Sequence, residues 1–542
     1  MAGAKAKTAH VNMMTDIIIA NLSLEGLRAV MRGVLSSQPT ATPIFEEQTQ
    51  NYLNETASQF QNVTVIAKQD DGAPYTAPIF KDLRRRICCM VGCGMCYEAL
   101  PLLVQIVQQL SGHTFSEDDG LQNDIAAVDG DIIQALTAIQ KALLSPTGSR
   151  DLSAEEAESV NQLHQVVLVY QKDCVARKQP FVLERASDAL YSLLKPDLSE
   201  SVASPREELA PEVIPETFTM DGVPLPRIFN GLWQLSSPAW GSASRSKMMD
   251  QFSSCVQRGF TAFDMADHYG DAEIIFGRYR SSSVYSDRMF AATKYCIFHP
   301  MTVTEEAVRA NVSERCRRLR TDKVDLLQFH WQFYNDDQYI KALQYLQADT
   351  RVKQLGLCNF DTEHMQRVVE SGVKIVSNQV QFSLIDSRPM VRMASFCAQH
   401  NIKLLTYGTL LGGLLAEKWI GQPAPDLYSE STTPSQRKYY AMIRSWGGWD
   451  LFQELLLVLR GIARKHGVSV SNVATRWVLE FPCVGAVIVG TRMGVSEQSR
   501  ENLASLGWSL DEEDQKRIES VLERSSRKEM FESMGDCGGE YR

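Results

Sequence analysis

The 542-residue sequence predicts an α/β protein: a (β/α)8 TIM barrel preceded by a mainly α-helical N-terminal domain. Three observations carry that prediction. After residue 216, short apolar runs alternate with amphipathic helical stretches, the pattern of βα units and a parallel sheet. The runs at 227–232, 261–264, 289–293, 324–329, 353–357, 375–378, 402–406 and 485–489 supply eight strands, which with their helices fit a barrel of about the usual ~250 residues. Before residue 196, strand signals are few and apolar residues fall at helical spacing.

The domains follow from these shifts. Residues 1–14 are expected as an N-terminal tail, and the first fifteen residues are basic and free of acids, a composition compatible with organelle import. Residues 15–195 are expected as a helical domain. Leu24, Leu27, Val30, Met31 and Val34 mark one amphipathic helix, and 132–144 and 156–175 read the same way. Residues 196–216 are rich in Pro, Ser and acids and lack an apolar period, so they read as a linker. The barrel is assigned to 217–525 and a C-terminal tail to 526–542. The residues of the helical half do not name a family.

Composition excludes several classes of function. A hydrophobic fraction of 44% and a charged fraction of 22% are those of a soluble globular protein. The net charge of -10, without an extended basic stripe, argues against nucleic-acid binding. Twelve cysteines form no disulfide-like framework, and the apolar run Ile17–Ala20 is too short for a signal peptide, so reduced thiols and a cytoplasmic location are expected. Cys93 and Cys96 have C-x-x-C spacing, but no second pair or suitable His pair follows, so no metal is expected. The apolar run 87–107 is interrupted by Glu98 and Pro101, which favours a buried core helix over a membrane span.

Punctuation within the barrel supports the count. Asp221-Gly222 predicts a hairpin closing the barrel floor. Thr302 with Glu305 reads as a capping box, Asp361 as the cap of a helix ending near Gly372, and Asp511 opens an acidic helix N-terminus. The long segment 415–450 is expected to act as a lid or binding element.

The chemistry is expected at the strand ends. Asp264, Lys294 and His330 each close an apolar run, and Tyr269 lies in the loop after Asp264. In a parallel barrel the C-terminal strand ends meet around one mouth, so these four can form one proton-handling cluster. An ammonium beside a phenol favours the phenolate and should lower the tyrosine pKa, and a carboxylate keeps that ammonium charged. A histidine can orient a bound carbonyl oxygen, so the set makes a general acid aimed at a carbonyl. Carbonyl reduction also needs hydride, which no side chain supplies, so a nicotinamide cofactor is implied. Cys296, His299 and Trp331, just beyond the strands of Lys294 and His330, are candidate substrate contacts.

Residues 225–520 resemble the aldo-keto reductases. Phe263-Asp264-Met265-Ala266-Asp267-His268-Tyr269-Gly270 is similar to the family's F-D-x-A-x-x-Y-G, and the Lys294 and His330 segments stand in the family's order. The resemblance implies NADP(H)-dependent reduction of an aldehyde or ketone to an alcohol, with Tyr269 as proton donor. It also implies cofactor contacts. Cys358 and Asn359 match a carboxamide-binding pair in which cysteine replaces the usual serine, Gln379 matches a second carboxamide contact, and Tyr407 matches the ring under the nicotinamide. Gly408, Leu410 and Gly412 match the pyrophosphate-side loop, and Gly231 and Trp233 match a contact at the first strand. Gly490, Arg492, Gln498, Glu501 and Asn502 match the adenosine-phosphate segment, where Arg492 would favour NADP(H) by pairing with a 2′-phosphate. Some relatives act largely as partners of other proteins. The alternative expectation is therefore an NADP(H)-binding regulatory or interaction subunit, with the helical domain as the surface for a protein partner.

Overall fold

The computed structural model describes residues 13–68, 74–113, 120–145, 148–194, 216–236, 240–241, 243–429 and 432–541. The expected N-terminal tail and linker fall almost wholly outside the described residues. The first half holds α1 (Met13–Asn21), α2 (Leu24–Ser37), α3 (Thr42–Glu55), α4 (Ile79–Gly92), α5 (Leu100–Leu110), α6 (Gly120–Leu143), α7 (Ala154–Arg177) and α8 (Glu184–Leu194). Two short antiparallel pairs accompany them, β1 (Ile66–Lys68) with β2 (Pro74–Thr76) and β3 (Leu144–Ser145) with β4 (Gly148–Ser149).

The core of this half is built by α4 to α8, where Phe80, Leu103, Val107, Leu136, Leu163 and Val167 are buried together. A reciprocal capping box between Ser153 and Glu156 starts α7, satisfying two otherwise unpaired amides. The apolar run 87–107 is two helices rather than one. Gly94 adopts φ +86°, and the Met95 amide turns back to the Met90 carbonyl, which ends α4 before α5 begins. The amphipathic α2 buries none of its residues; Leu24, Val30, Met31 and Val34 are exposed.

The barrel is preceded by the hairpin β5 (Thr217–Met220) and β6 (Val223–Pro226). Its turn places Asp221 at φ 46° and Gly222 at φ 82°, the two left-handed residues that a tight hairpin needs. Phe218, Met220 and Leu225 pack on Phe229, and Gln354 donates to the Met220 carbonyl, so the hairpin closes the barrel floor as expected.

The eight expected strands are all present: β7 (Ile228–Gly231), β8 (Ala262–Asp264), β9 (Phe290–Cys296), β10 (Val324–His330), β11 (Val352–Cys358), β12 (Ser377–Gln381), β13 (Lys403–Tyr407) and β14 (Val484–Gly490). They pair in parallel, in chain order, into a closed barrel. Helices α9 (Arg245–Gln257), α10 (Ala272–Ser282), α11 (Glu305–Leu319), α12 (Gln338–Ala348), α13 (Thr362–Glu370) and α14 (Met393–His400) alternate with strands β7 to β13. Asp361 caps α13 as expected, accepting from the His364 amide at 2.7 Å. The cap of α11 is Thr304 rather than Thr302, because the helix begins at Glu305 and Thr304 accepts from the Ala307 amide.

Segment 415–450 is not a simple loop. It carries α15 (Pro434–Trp446) and the start of α16 (Gly448–His466). These pack with α17 (Val470–Leu479) into their own apolar cluster around Trp446, Leu455 and Leu459. Helices α18 (Ser499–Leu503), α19 (Glu512–Leu522) and α20 (Arg527–Met534) end the fold, and Asp511 caps α19. Residues 526–541, expected as a tail, are structured and return over the barrel mouth. Asp536 accepts from the Thr362 amide, and Glu540 pairs with Arg388. Among the described residues no helix is long and apolar enough to cross a membrane.

Candidate active site

Strand parity decides which side chains reach the mouth. Along β10, Leu326 packs inside the barrel with Phe290 and Ala292, whereas Leu327 and Phe329 pack outside against the helices. Side chains alternate faces along a strand, so Gln328 and His330 point inward. The same alternation places Asp264 inside with Ala262, Lys294 and Cys296 inside with Ala292, and Tyr407 inside with Leu405. In register, Gln328 lies beside Lys294, and His330 lies between Cys296 and Cys358. The tetrad positions are therefore gathered at the C-terminal strand ends.

The Asp264 carboxylate is fully enclosed and fully satisfied. Lys294 Nζ donates to its Oδ2 at 2.6 Å, while Gln328 and Gln379 donate to its Oδ1 at 3.0 and 2.7 Å. Lys294 also donates to the Met265 carbonyl and lies 4.8 Å from the centre of the Tyr269 ring. Burial opposes the charge on Lys294, but Asp264 and Tyr269 outweigh it and hold the ammonium above its ordinary pKa. For Tyr269 the balance differs from the sequence expectation. Burial pushes its hydroxyl up by more than Lys294 draws it down, so at neutral pH it is a protonated phenol. His330 is pushed down to about 4 by burial, then by His268 and Lys294, which leaves a neutral imidazole. Its Nε2 is buried and has no hydrogen-bond partner among the described residues.

A second charged group lies behind the tyrosine. Asp267 accepts from Lys141 of α6 at 2.7 Å and from the Cys296 amide at 3.2 Å, with Arg315 at 3.6 Å and His268 at 3.2 Å. Burial would raise this carboxyl, but Lys141, His268 and Arg315 hold it well below its usual range. Asp267, His268 and Cys296 are close enough together to ligate a metal. Lys141 and Arg315 match the carboxylate, an ion pair that accounts for the cluster.

The opposite side of the mouth is uncharged at its base. Asn359, at φ 59°, is held by its amide on the Gln379 carbonyl, and its Oδ1 accepts from the Tyr407 hydroxyl at 2.9 Å. Cys358 is buried and pushed up to about 12 by that burial, so it presents a neutral thiol. Gln379 spends its amide nitrogen on Asp264 and Gln328, inside the tetrad network. After β13, Gly408, Leu411, Gly412 and Gly413 all have positive φ, while Leu410 between them has φ -93°. A Cβ on Gly408 would stand 2.4 Å from the Tyr439 hydroxyl. Gly231 and Gly490 pair across β7 and β14, and a Cβ on Gly490 would strike Gln234. Trp233 is exposed, as are Arg492 and Gln498 between β14 and α18; within α18, Glu501 is exposed and Asn502 half-buried.

These groups suit a nicotinamide dinucleotide: amides and an aromatic ring at the mouth, a glycine-rich turn beside it, and an exposed arginine beyond β14. The end of the chain shares that space. The Tyr541 hydroxyl lies 2.9 Å from that of Tyr407 and 3.2 Å from Lys438 Nζ, and its ring stands edge-on to His330.

The three expected substrate contacts lie in different surroundings. Trp331 follows His330 and so faces outward; its indole is buried on Phe329 and donates to the Phe333 carbonyl. His299 is exposed, and the preceding Phe298 instead meets both His268 and His330 edge-on. Cys296 does face the interior. Sequence reading missed Lys141, Phe298, Lys438 and Tyr541. Gln328 carried a signal, since it shares the parity of His330; the others are brought in by tertiary packing.

A sequence model described as the Aldo/keto reductase family matches residues 227–523. The chain belongs to that family. Among individual proteins, it is 23% identical over 316 residues to an aldo-keto reductase (YhdN) of Bacillus subtilis, covering 56% of this chain and 92% of that one. It is 26% identical to the chloroplastic pyridoxal reductase of Arabidopsis thaliana, covering 53% and 82%. It is also 31% identical over 208 residues to flagellar radial spoke protein 5 of Chlamydomonas reinhardtii, a match spanning 35% of this chain and 38% of that protein. A solved glycerol dehydrogenase of Gluconobacter oxydans is similar over 57% of this chain and 96% of its own, with 24% identity and a TM-score of 0.48.

Proposed function

We propose that the protein is an NADP(H)-dependent oxidoreductase that reduces an aldehyde or ketone to an alcohol, with Tyr269 as proton donor. One observation carries this reading. A buried Lys294–Asp264 pair stands by the Tyr269 ring, with a neutral His330 on the next strand whose buried Nε2 has no partner among the described residues. A neutral imidazole N–H is the donor that a carbonyl oxygen requires. Asn359, Gln379, Tyr407, Gly408 and the 490–502 segment would hold the cofactor, with Arg492 the group for a 2′-phosphate. A reduced nicotinamide, when bound, supplies the hydride.

The chain's own residues do the rest. His330 orients the carbonyl oxygen, and Tyr269 gives that oxygen its proton as negative charge develops there. Lys294 stabilises the phenolate left behind, and Asp264 keeps Lys294 charged and in place. Exclusion of water strengthens each of these interactions. The test is NADPH oxidation over a panel of aldehydes, ketones and quinones.

The similarity to a protein named for the flagellar radial spoke favours a second reading, a cofactor-binding part of a larger assembly with little turnover. Tight NADPH binding without turnover on any carbonyl, with a partner captured through residues 1–195, would select it.

A further inference from the structure

We propose that the helical half supplies a positioning residue to the catalytic mouth: Lys141 holds the Tyr269 loop in place. The inference rests on the reductase reading for its catalytic consequence, but its structural part stands apart from it.

The loop 265–271 runs from Asp264 to α10 and carries Tyr269. Its inner contacts are with the barrel: the Met265 and Asp267 amides donate to the Ala292 and Lys294 carbonyls. Its outer side is held by the first half of the chain. Lys141 Nζ donates to Asp267 at 2.7 Å and to the Cys296 carbonyl at 3.3 Å, joining the loop to the end of β9. The same ammonium stands 5.6 Å from the Phe298 ring, which meets both His268 and His330 edge-on. At the far end of the loop, Arg185 of α8 donates to Asp271 at 2.9 Å, with both side chains buried. Between them, Arg318 of α11 donates to the Gly270 carbonyl and to Gln140 of α6, and a Cβ on Gly270 would stand 3.2 Å from Ile133.

The helical half thus grips two positions around Tyr269 directly, two residues before it and two after it, and reaches Gly270 through Arg318. Of these contacts Lys141 bears most directly on the site, because it touches the carboxylate, the strand end and the aromatic wall of His330 at once. Without it Asp267 keeps Arg315, but Arg315 is shared with Glu273 and approaches from α11. The loop would keep its charge balance in part, with the bonds of the Asp267 amide to Lys294 and of the Cys296 amide to Asp267, but lose the ammonium that bridges the Asp267 carboxylate and the Cys296 carbonyl. The charged and titratable groups around His330 are His268, Asp267, Lys294 and Lys141, with Tyr541 against its ring. Removing the Lys141 charge therefore raises the pKa of His330 as well as loosening the loop.

The test uses full-length protein with Lys141→Met and Lys141→Arg. Hydrogen exchange of the backbone amides of 265–271, without cofactor, reads the loop directly. Roughly tenfold faster exchange, largest in 265–271, is expected in Lys141→Met together with a lower melting temperature, and near-normal values of both in Lys141→Arg. In steady state, Lys141→Met should lose roughly 10- to 100-fold in kcat, since misplacing a catalytic group by about 1 Å costs that much, while KM for NADPH stays within about twofold. The acid limb of its pH profile should move to higher pH. Unchanged exchange in Lys141→Met overturns the proposal, as does normal kcat beside an active parent. Faster exchange in a protein whose parent turns over no carbonyl supports the positioning and removes the reductase reading.

Discussion

The two sides of the barrel mouth are built on different principles. On the β8–β10 side, Asp264 pairs with Lys294 and Asp267 with both Lys141 and Arg315, and every oxygen of these two carboxylates has a partner. On the β11–β13 side, Asn359, Cys358 and Tyr407 are neutral, and the end of the chain lies over them through Tyr541. The first side is suited to holding charge during a reaction, the second to admitting a large ligand. Substitutions on the charged side should damage chemistry and stability together, whereas those on the neutral side should change binding.

Lys294→Met is the strongest way to break the contrast. It leaves Asp264 buried without its cation, which should cost about 3–5 kcal/mol of stability and abolish turnover. Chemical denaturation beside an NADPH-oxidation assay checks both. The expected downward shift in the midpoint would be absent if Asp264 were solvated.

A second effect comes from His330. Its folded pKa of about 4 lies below its usual 6.5. Between those values the unfolded chain binds a proton that the folded chain does not, so stability falls as pH drops from 6.5 toward 4 and then levels off. The contribution is on the order of 3 kcal/mol for a shift of that size. His330→Gln should flatten this part of the stability curve, as read by thermal melting across pH. An equal slope in the variant would assign the effect elsewhere.

The smallest effect belongs to the neutral side. Tyr541→Phe removes hydroxyl contacts to Tyr407 and Lys438, worth about 0.5–1.5 kcal/mol. The expected result is a change of several-fold in the NADPH dissociation constant, measured by fluorescence titration, with kcat within about twofold by the same reasoning. A large loss of kcat would place Tyr541 in the chemistry rather than over the binding side.

The same division explains what the sequence revealed. Barrel strands are buried on both faces, so their apolar runs stand out between turn signals. The catalytic candidates sit at the ends of those runs, where parity alone fixes their direction. That reasoning would also have turned Trp331 away from the mouth, since it follows the inward-facing His330. Lys141 and Tyr541 were not legible. Each is an ordinary residue in its local pattern, and it reaches the site only because a helix or a chain end from elsewhere packs there. The protonation of Tyr269 was misjudged for a related reason: Lys294 is visible in the sequence, but the depth of burial that outweighs it is not. In α2 the apolar spacing correctly gave a helix, while Leu24, Val30, Met31 and Val34 of its apolar face are exposed.

The most direct test of the account is NADPH oxidation by the purified protein over a carbonyl panel, run beside Tyr269→Phe. The account predicts turnover with at least one aldehyde or ketone and a loss of roughly 10²- to 10⁴-fold in the variant, which keeps its fold and its affinity for NADPH. Near-normal turnover in Tyr269→Phe would contradict the assignment of the proton donor.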